Sequence, residues 1–146
     1  MALRKATPKD IDSLTSLERL VFDRHAYNCD QLRYLLTKAK ATTYLTEHEG
    51  DIVGWAIMLW KKSVKVGRLY SLGVRPSHRR KGIANKLLTQ LEYDAIQKDC
   101  DRTTLETTES NIEGQAFYRF RGYQVTEKMP GYFPDGSDAI RMVKQL

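Results

Sequence analysis

The chain carries only two cysteines, Cys29 and Cys100, and they form no C-x-x-C pair. A disulfide framework and a Cys-based zinc site are therefore not expected. Neither thiol has a nearby His or other base to activate it, so both read as reduced thiols of a cytosolic protein. No apolar run approaches the roughly 18 residues that a membrane span requires. Residues Met1 to Asp10 are charged too early for a signal peptide, and the expected location is the cytoplasm. Low-complexity tracts, internal repeats and a linker are also missing, so 1–146 is expected to be a single domain. Neither G-x-x-x-x-G-K-[ST] nor G-x-G-x-x-G occurs, which sets aside a Walker loop and a dinucleotide fingerprint.

What is present is a chain of 146 residues, 41% apolar and 29% charged, enough to bury one core without staples. The net charge is +6, an excess that favours anionic partners. The charge is spread along the chain except for one knot, Arg75, His78, Arg79, Arg80 and Lys81. That knot predicts a local anion site better than a general nucleic-acid face.

The periodicities predict a first strand over 2–6 and a helix opening at Thr7-Pro8-Lys9-Asp10, with Thr as cap, Pro at the first helical position and an acid three residues after the cap. Ile11, Leu14, Leu17, Leu20 and Val21 recur at helical spacing. A second helix runs from Cys29 to about Ala39. Thr42–Glu49 and Ile52–Lys61 read as a hairpin across Glu49-Gly50-Asp51, and Arg68–Val74 as another strand. After a loop from Arg75 to Lys81, Gly82 opens a long helix to about Asp99, with Ile83, Leu87, Leu88, Leu91, Ala95 and Ile96 on one face. Thr103–Thr107 is β-branched, Asn111–Phe120 helical, and Gln124–Pro130 and Ala139–Leu146 are final strands. The order β-α-α-β-β-β-α-β-α-β-β is a mixed α/β domain.

The most informative stretch is Leu72 to Ala84: a strand, a basic loop, then a helix whose first residues are Gly82-Ile83-Ala84. A helix N-terminus offers free backbone N–H groups and the positive end of the macrodipole, and phosphates bind there. Gly82 and the small Ala84 let the backbone approach an anion, while Arg79, Arg80 and Lys81 add charge and, for Arg, paired donors. On spacing alone, the segment also fits a plain basic turn ahead of an amphipathic helix.

Val74-x-Pro76-x-x-Arg79-Arg80-x-Gly82-x-Ala84 resembles the acetyl-CoA motif of the GNAT family of N-acetyltransferases, Q/R-x-x-G-x-G/A. Asn111-Ile112-Glu113-Gly114-Gln115-Ala116-Phe117-Tyr118, followed by Gly122-Tyr123, resembles the family's second motif, N-x-x-A-x-x-[FY]-Y-x-x-x-G-[FY]. The resemblance covers nearly the whole chain. It implies an α/β GNAT fold with about seven strands in a mixed central sheet, about four flanking helices and splayed central strands. It also implies an acyltransferase using acetyl-CoA as cosubstrate and no metal. The diphosphate would lie on Arg79, Arg80, Lys81, Gly82, Ile83 and Ala84, and the pantetheine arm along Leu72, Gly73 and Val74. The acetyl group would sit where that strand parts from the next near Leu105, its thioester oxygen polarised by the amide of Gly73 or Val74.

Asn111 matches a cofactor-contacting position and also reads as a helix cap. Tyr118 matches the tyrosine that reaches the CoA sulfur and protonates the leaving thiolate; read by itself it also fits a core tyrosine. Phe117 and Tyr123 read as core. Gly114 stands where the family prefers Ala, at a helix cost of roughly 1 kcal/mol. Glu106 is the candidate base: if Leu105 enters the core, Glu106 faces the other side. An exposed strand carboxylate is the plainer reading, and Glu109 is the lesser candidate.

Within the family, the N-terminal acetyltransferases, ribosomal-protein alanine N-acetyltransferases among them, are most similar. Leu105-Glu106 with Tyr118 twelve residues later, Tyr70 to Val74, and the loop Tyr132 to Met142 carry that likeness. It implies that Phe22, Tyr27, Tyr132 and Phe133 line an acceptor site for a protein or peptide N-terminus, a ribosomal protein being one candidate. Tyr132 and Phe133 also fit a simple aromatic turn with Pro134 and Gly136. A small-molecule amine or a protein lysine stays open as acceptor. A non-catalytic CoA- or RNA-binding module also stays open, the latter on the Tyr118-Arg119-Phe120-Arg121-Gly122-Tyr123 interleaving. A membrane partner is not expected, and the chain is read as a monomer or homodimer.

Overall fold

The computed structural model describes residues 1–146, the side chain of Lys62 excepted. Strand β1 (Ala2–Lys5) leads into a short 3₁₀ turn at Pro8–Asp10 and helix α1 (Ile11–Phe22). The start is built as its sequence suggests: the Asp10 carboxylate accepts the Thr7 backbone N–H at 2.8 Å and two bonds from Arg4 at 2.8 and 2.9 Å. Helix α2 (Cys29–Thr37) is capped by Asn28, whose side chain accepts from the Gln31 N–H. Strands β2 (Ala41–His48) and β3 (Asp51–Lys61) form the hairpin. Its turn residues Glu49 and Gly50 both have positive φ, 52° and 83°, which suits the right-handed twist of the flanking strands.

Strand β4 (Val66–Val74), helix α3 (Ile83–Gln97), strand β5 (Arg102–Thr108), helix α4 (Ile112–Phe120) and strands β6 (Gln124–Met129) and β7 (Ala139–Gln145) complete the chain. The strands make one seven-stranded sheet in the order β1-β2-β3-β4-β5-β7-β6. Only β4 and β5 pair in parallel, with α3 as the crossover between them.

Two apolar layers cover the sheet. On one face, Leu87, Leu88 and Leu91 of α3 pack with Val53, Met58 and Leu105 of the strands, and α4 adds Phe117 and Tyr118. On the other, Leu14, Leu17, Leu32 and Leu35 of α1 and α2 pack on Leu45, Trp55 and Ile57. Two expected core residues lie outside: Leu20 is 58% exposed and Ile96 53% exposed. At 3.6 residues per turn, Leu20 falls opposite Ile11, and Ile96 is rotated well away from Ile83. The inward stripe of α1 instead contains Glu18, which has no exposed surface. Helices α2 and α3 also end earlier than expected, at Thr37 and Gln97.

The register between β3 and β4 slips where Ile57 pairs Ser71 but Met58 pairs Leu69. Tyr70 is the extra residue of a bulge, and a bulge re-aims side chains. Tyr70 and Ser71, consecutive in sequence, therefore both reach the α1–α2 side, where Tyr70 meets Tyr27 and Ser71 meets Glu18. Cys29 and Cys100 are free and half-buried. No helix among the described residues is long and apolar enough to cross a membrane.

Candidate active site

Strands β4 and β5 pair only from Val66↔Arg102 to Leu69↔Leu105. Beyond Leu69, β4 runs on to Val74 with no β5 partner, and β5 runs on to Thr108. The strands thus part where the family resemblance implies, near Leu105. A cleft of about 1300 Å³ fills the gap and spreads over both ends of it, larger than the 300–1,000 Å³ usual for one small ligand.

One half of this cleft is made by backbone. Leu72, Gly73, Val74, Arg79, Arg80, Gly82, Ile83, Ala84, Asn111 and Tyr118 all line it; Lys81 is outside the lining. Gly82 caps α3 with φ +78°, a left-handed conformation. A Cβ built there would meet nothing within 4 Å, so glycine is needed for the backbone angle rather than for space. Arg80 also has positive φ, 62°. Arg79 bends back toward the Val74 carbonyl at 3.4 Å. Gly73 has a different reason: a Cβ there would overlap the Trp55 indole.

Asn111 caps α4, accepting from the Gly114 N–H at 3.1 Å and donating to Thr107 Oγ1 at 2.9 Å. A Cβ on residue 114 would run into the Asn111 side chain. Gly114 is thus explained by the cap packed over it. Tyr118 faces the cleft from α4, and burial pushes its phenol well above the ordinary value. A phenol is protonated at neutral pH without any shift, and burial moves its value further from that range. Tyr123 is core as expected, 1% exposed and donating to Glu92 at 3.0 Å. Phe117 packs at the edge of the same core. The aromatic-basic run from Tyr118 to Tyr123 does not form one platform, since Tyr123 is buried and Arg121 is spent on Glu92 at 2.7 Å.

The other half is made by side chains. Leu105 is 2% exposed in the α3-side core, which turns Glu106 to the opposite face, where it lines the cleft. Glu106 is not a plain exposed carboxylate. Arg68 Nε reaches one of its oxygens at 2.7 Å and Arg141 Nε the other at 3.1 Å. Arg68 also lies over the Tyr70 ring and donates to the Tyr132 hydroxyl at 3.0 Å. Phe22, Tyr27 and Phe133 line the cleft, whereas Tyr132 stands behind, bonded to Arg68.

Two loops meet across this half. His25 Nε2 is 3.0 Å and Arg24 Nε 3.1 Å from Asp135 Oδ2, and the His25 ring tilts against Phe133 with centroids 5.1 Å apart. Hydrogen bonds from Ser137, helped by the charges of His25 and Arg24, hold the Asp135 carboxyl down at about 2. Glu18 lies in the lining near Tyr27 and Ser71. It was legible only as a glutamate inside the apolar stripe Ile11, Leu14, Leu17, Val21. Arg68, Arg141 and the loop contact left no local signal. Among the described residues no group of His, Cys, Asp or Glu is placed to hold a metal.

Residues 10–123 match the model of the Acetyltransferase (GNAT) family. An uncharacterized N-acetyltransferase of Methanocaldococcus jannaschii is 32% identical over 99% of this chain and 92% of its own length. An N-alpha-acetyltransferase of Sulfurisphaera tokodaii is 26% identical, again over 99% and 92%. The crystal structure of the ribosomal-protein-S18-alanine N-acetyltransferase from Escherichia coli superimposes with a TM-score of 0.87 at 19% identity, covering 99% of this chain and 92% of that one. With the parted strands and the glycine-opened helix in the places the motifs require, this chain belongs to the GNAT family of acetyltransferases.

Proposed function

We propose that the protein transfers the acetyl group of acetyl-CoA to the N-terminal α-amine of a protein or peptide, both substrates held in one ternary complex. The observation that carries this reading is the position of two proton-handling side chains, Tyr118 and Glu106, in the cleft opened by the parting of β4 from β5.

The residues present fit the cosubstrate. The α3 N-terminus is open above Gly82, and Arg79 and Arg80 stand beside it for the diphosphate. The stretch Leu72, Gly73, Val74, paired with β3 but not with β5, offers its free edge to the pantetheine amides and an N–H to the thioester oxygen. Asn111 joins this side. Acetyl-CoA supplies an acetyl group already activated as a thioester.

An ammonium cannot attack a carbonyl, so one proton must leave first. Glu106 accepts it, directly or through a water. Both its oxygens already receive a guanidinium N–H, but a carboxylate oxygen keeps a second acceptor position. The two arginines fix its direction. The freed amine attacks the acetyl carbon, a C–N bond forms, the C–S bond breaks, and the nitrogen releases its second proton, which through solvent restores the proton that Tyr118 gives up. Tyr118, protonated at neutral pH as any phenol is, gives its proton to the departing sulfur.

The lining of the acceptor half favours a peptide end over a polycation. Each carboxylate there has an internal partner: Glu106 two arginines, Asp135 Arg24 and His25, Glu18 three donors. None is left over to collect a second ammonium. The aromatic walls Phe22, Tyr27 and Phe133 suit the first side chains of a peptide. The similarity to an N-alpha-acetyltransferase over nearly the whole chain agrees with this.

Glu106→Gln and Tyr118→Phe test the roles. Each is expected to lower kcat by about 10² or more, the ordinary range for losing a general base or acid, with acetyl-CoA affinity by calorimetry nearly unchanged. Near-parental rates in both variants would remove the assignment. A panel of N-terminal peptides, lysine peptides, polyamines and aminoglycosides identifies the acceptor.

A further inference from the structure

Helix α1 turns Ile11, Leu14, Leu17 and Glu18 into the protein, and Glu18 is as fully buried as Leu14. A buried carboxylate is costly unless paired. Glu18 has no cation: its partners are the Trp55 indole N–H at 2.8 Å, the Tyr27 backbone N–H at 3.1 Å and the Ser71 hydroxyl. A leucine at this position would fill the core with no such cost. The three donors come from three elements: the link between α1 and α2 and the bulged segment of β4, which both line the cleft, and β3, which pairs with that segment.

We propose that Glu18 is a positioning residue of the active site: its carboxylate ties the Tyr27 loop, the Trp55 indole and Ser71 into one unit that sets the acceptor wall and the thioester-binding strand together. The inference rests on the transferase reading above. On the acceptor side, the tie holds Tyr27, whose ring stands edge-on to Tyr70 at 5.4 Å and whose hydroxyl donates to the Tyr70 carbonyl at 3.2 Å. The tie thus fixes two aromatic residues of the wall.

On the cofactor side, Trp55 pairs with Gly73 across β3 and β4. Its indole occupies the space that a side chain at 73 would need. The depth at which the indole sits therefore decides how β4 lies at Gly73 and Val74, one of whose amides is offered to the thioester oxygen. Glu18 grips that indole by its only polar atom. Displacements near 1 Å in such groups cost about 10²-fold in rate.

The tie also depends on both carboxylate oxygens accepting. Oε1 receives Tyr27 and Oε2 receives Trp55 and Ser71. A glutamine keeps the shape but turns one end into a donor, so one side of the tie must open.

The experiment compares Glu18→Gln and Ser71→Ala with the parent. For Glu18→Gln the expected result is a kcat lower by about 10- to 100-fold, a raised acceptor KM, and an acetyl-CoA Kd within about twofold of the parent. The Trp55 indole N–H resonance in a ¹⁵N-labelled sample is expected to shift, while that of Trp60, bonded to Thr42, stays in place. Ser71→Ala removes one donor, leaves the other two contacts, and is expected to show the same pattern at about threefold to tenfold. Should Glu18→Gln fail to fold, Ser71→Ala decides. A folded variant of either kind with parental kcat and acceptor KM overturns the proposal. An unmoved Trp55 resonance in Glu18→Gln also overturns it. A parent that acetylates no amine would instead sink the transferase reading, and the indole resonance would still report on the tie.

Discussion

The two halves of the cleft are made from different materials. The half proposed to hold the cosubstrate is backbone: a strand edge left without a β5 partner beyond Leu69 and a helix opened by a left-handed Gly82. Its side chains add charge to a geometry that is already set. The half proposed for the acceptor is side chain on side chain: Glu106 between Arg68 and Arg141, Tyr27 on Tyr70, His25 and Arg24 on Asp135, and Glu18 against the Tyr27 backbone. A backbone site tolerates change in its side chains but not in its few glycines. A side-chain site can be retuned one contact at a time. A common cosubstrate and a variable acceptor call for this division.

The sharpest break in the comparison is Gly82→Val. A β-branched residue at φ +78° is strained by roughly 1–3 kcal/mol, and the loop can relieve that strain only by moving the α3 N-terminus. Calorimetry should show acetyl-CoA affinity reduced about tenfold or more, with acceptor KM at saturating cosubstrate little changed. Loss on the acceptor side alone would mean that the halves are not separate.

Asp135→Asn is the complementary change. It releases Arg24 and His25 and loosens the two loops over the acceptor wall, so acceptor KM should rise about threefold to tenfold while acetyl-CoA affinity holds. Because the native carboxyl is held down at about 2, below its unfolded value, the charged contact is present at neutral pH. It is lost only as pH falls from the unfolded range toward 2. Protonation of the Asp135 carboxyl itself should therefore leave acceptor KM unchanged between pH 5 and 8, and Asp135→Asn should show its raised acceptor KM across that whole range; a parental acceptor KM in the variant would contradict the assignment.

The smallest effect is expected far from both halves. Arg4 hydrogen bonds chiefly hold the Asp10 carboxyl below its ordinary value, with the Thr7 N–H helping. The folded state thus gains stability from Asp10 above pH about 4, and loses it as pH drops through the lowered native value. Asp10→Asn should cost about 1 kcal/mol in urea melts at pH 7, converge on the parent in acid, and leave kcat within experimental error.

The same division explains what could be read in advance. The proposed cofactor half lies in short stretches, Leu72 to Ala84 and Asn111 to Tyr118, where spacing and a glycine point to an anion site and the two-motif family resemblance selects that reading over a plain basic turn. The placement of Glu106 opposite Leu105 followed from strand alternation alone. The acceptor half needs pairs far apart in the chain, such as His25 with Asp135 or Arg68 with Glu106, and no local pattern encodes those. Leu20 lies outside and Glu18 inside for one reason: helical phase, not hydrophobicity, sets the inward face of α1. The bulge at Tyr70 has no sequence mark either, yet it brings Ser71 to Glu18.

The most direct measurement is mass spectrometry of a peptide with a free N-terminus, and of the same peptide with that amine blocked, after incubation with acetyl-CoA. The account predicts a gain of about 42 Da, one acetyl group for one proton, on the α-amine of the free peptide and none on the blocked one. Acetylation of a lysine or a small amine in preference to every N-terminus offered, or no product from any of them, would contradict it.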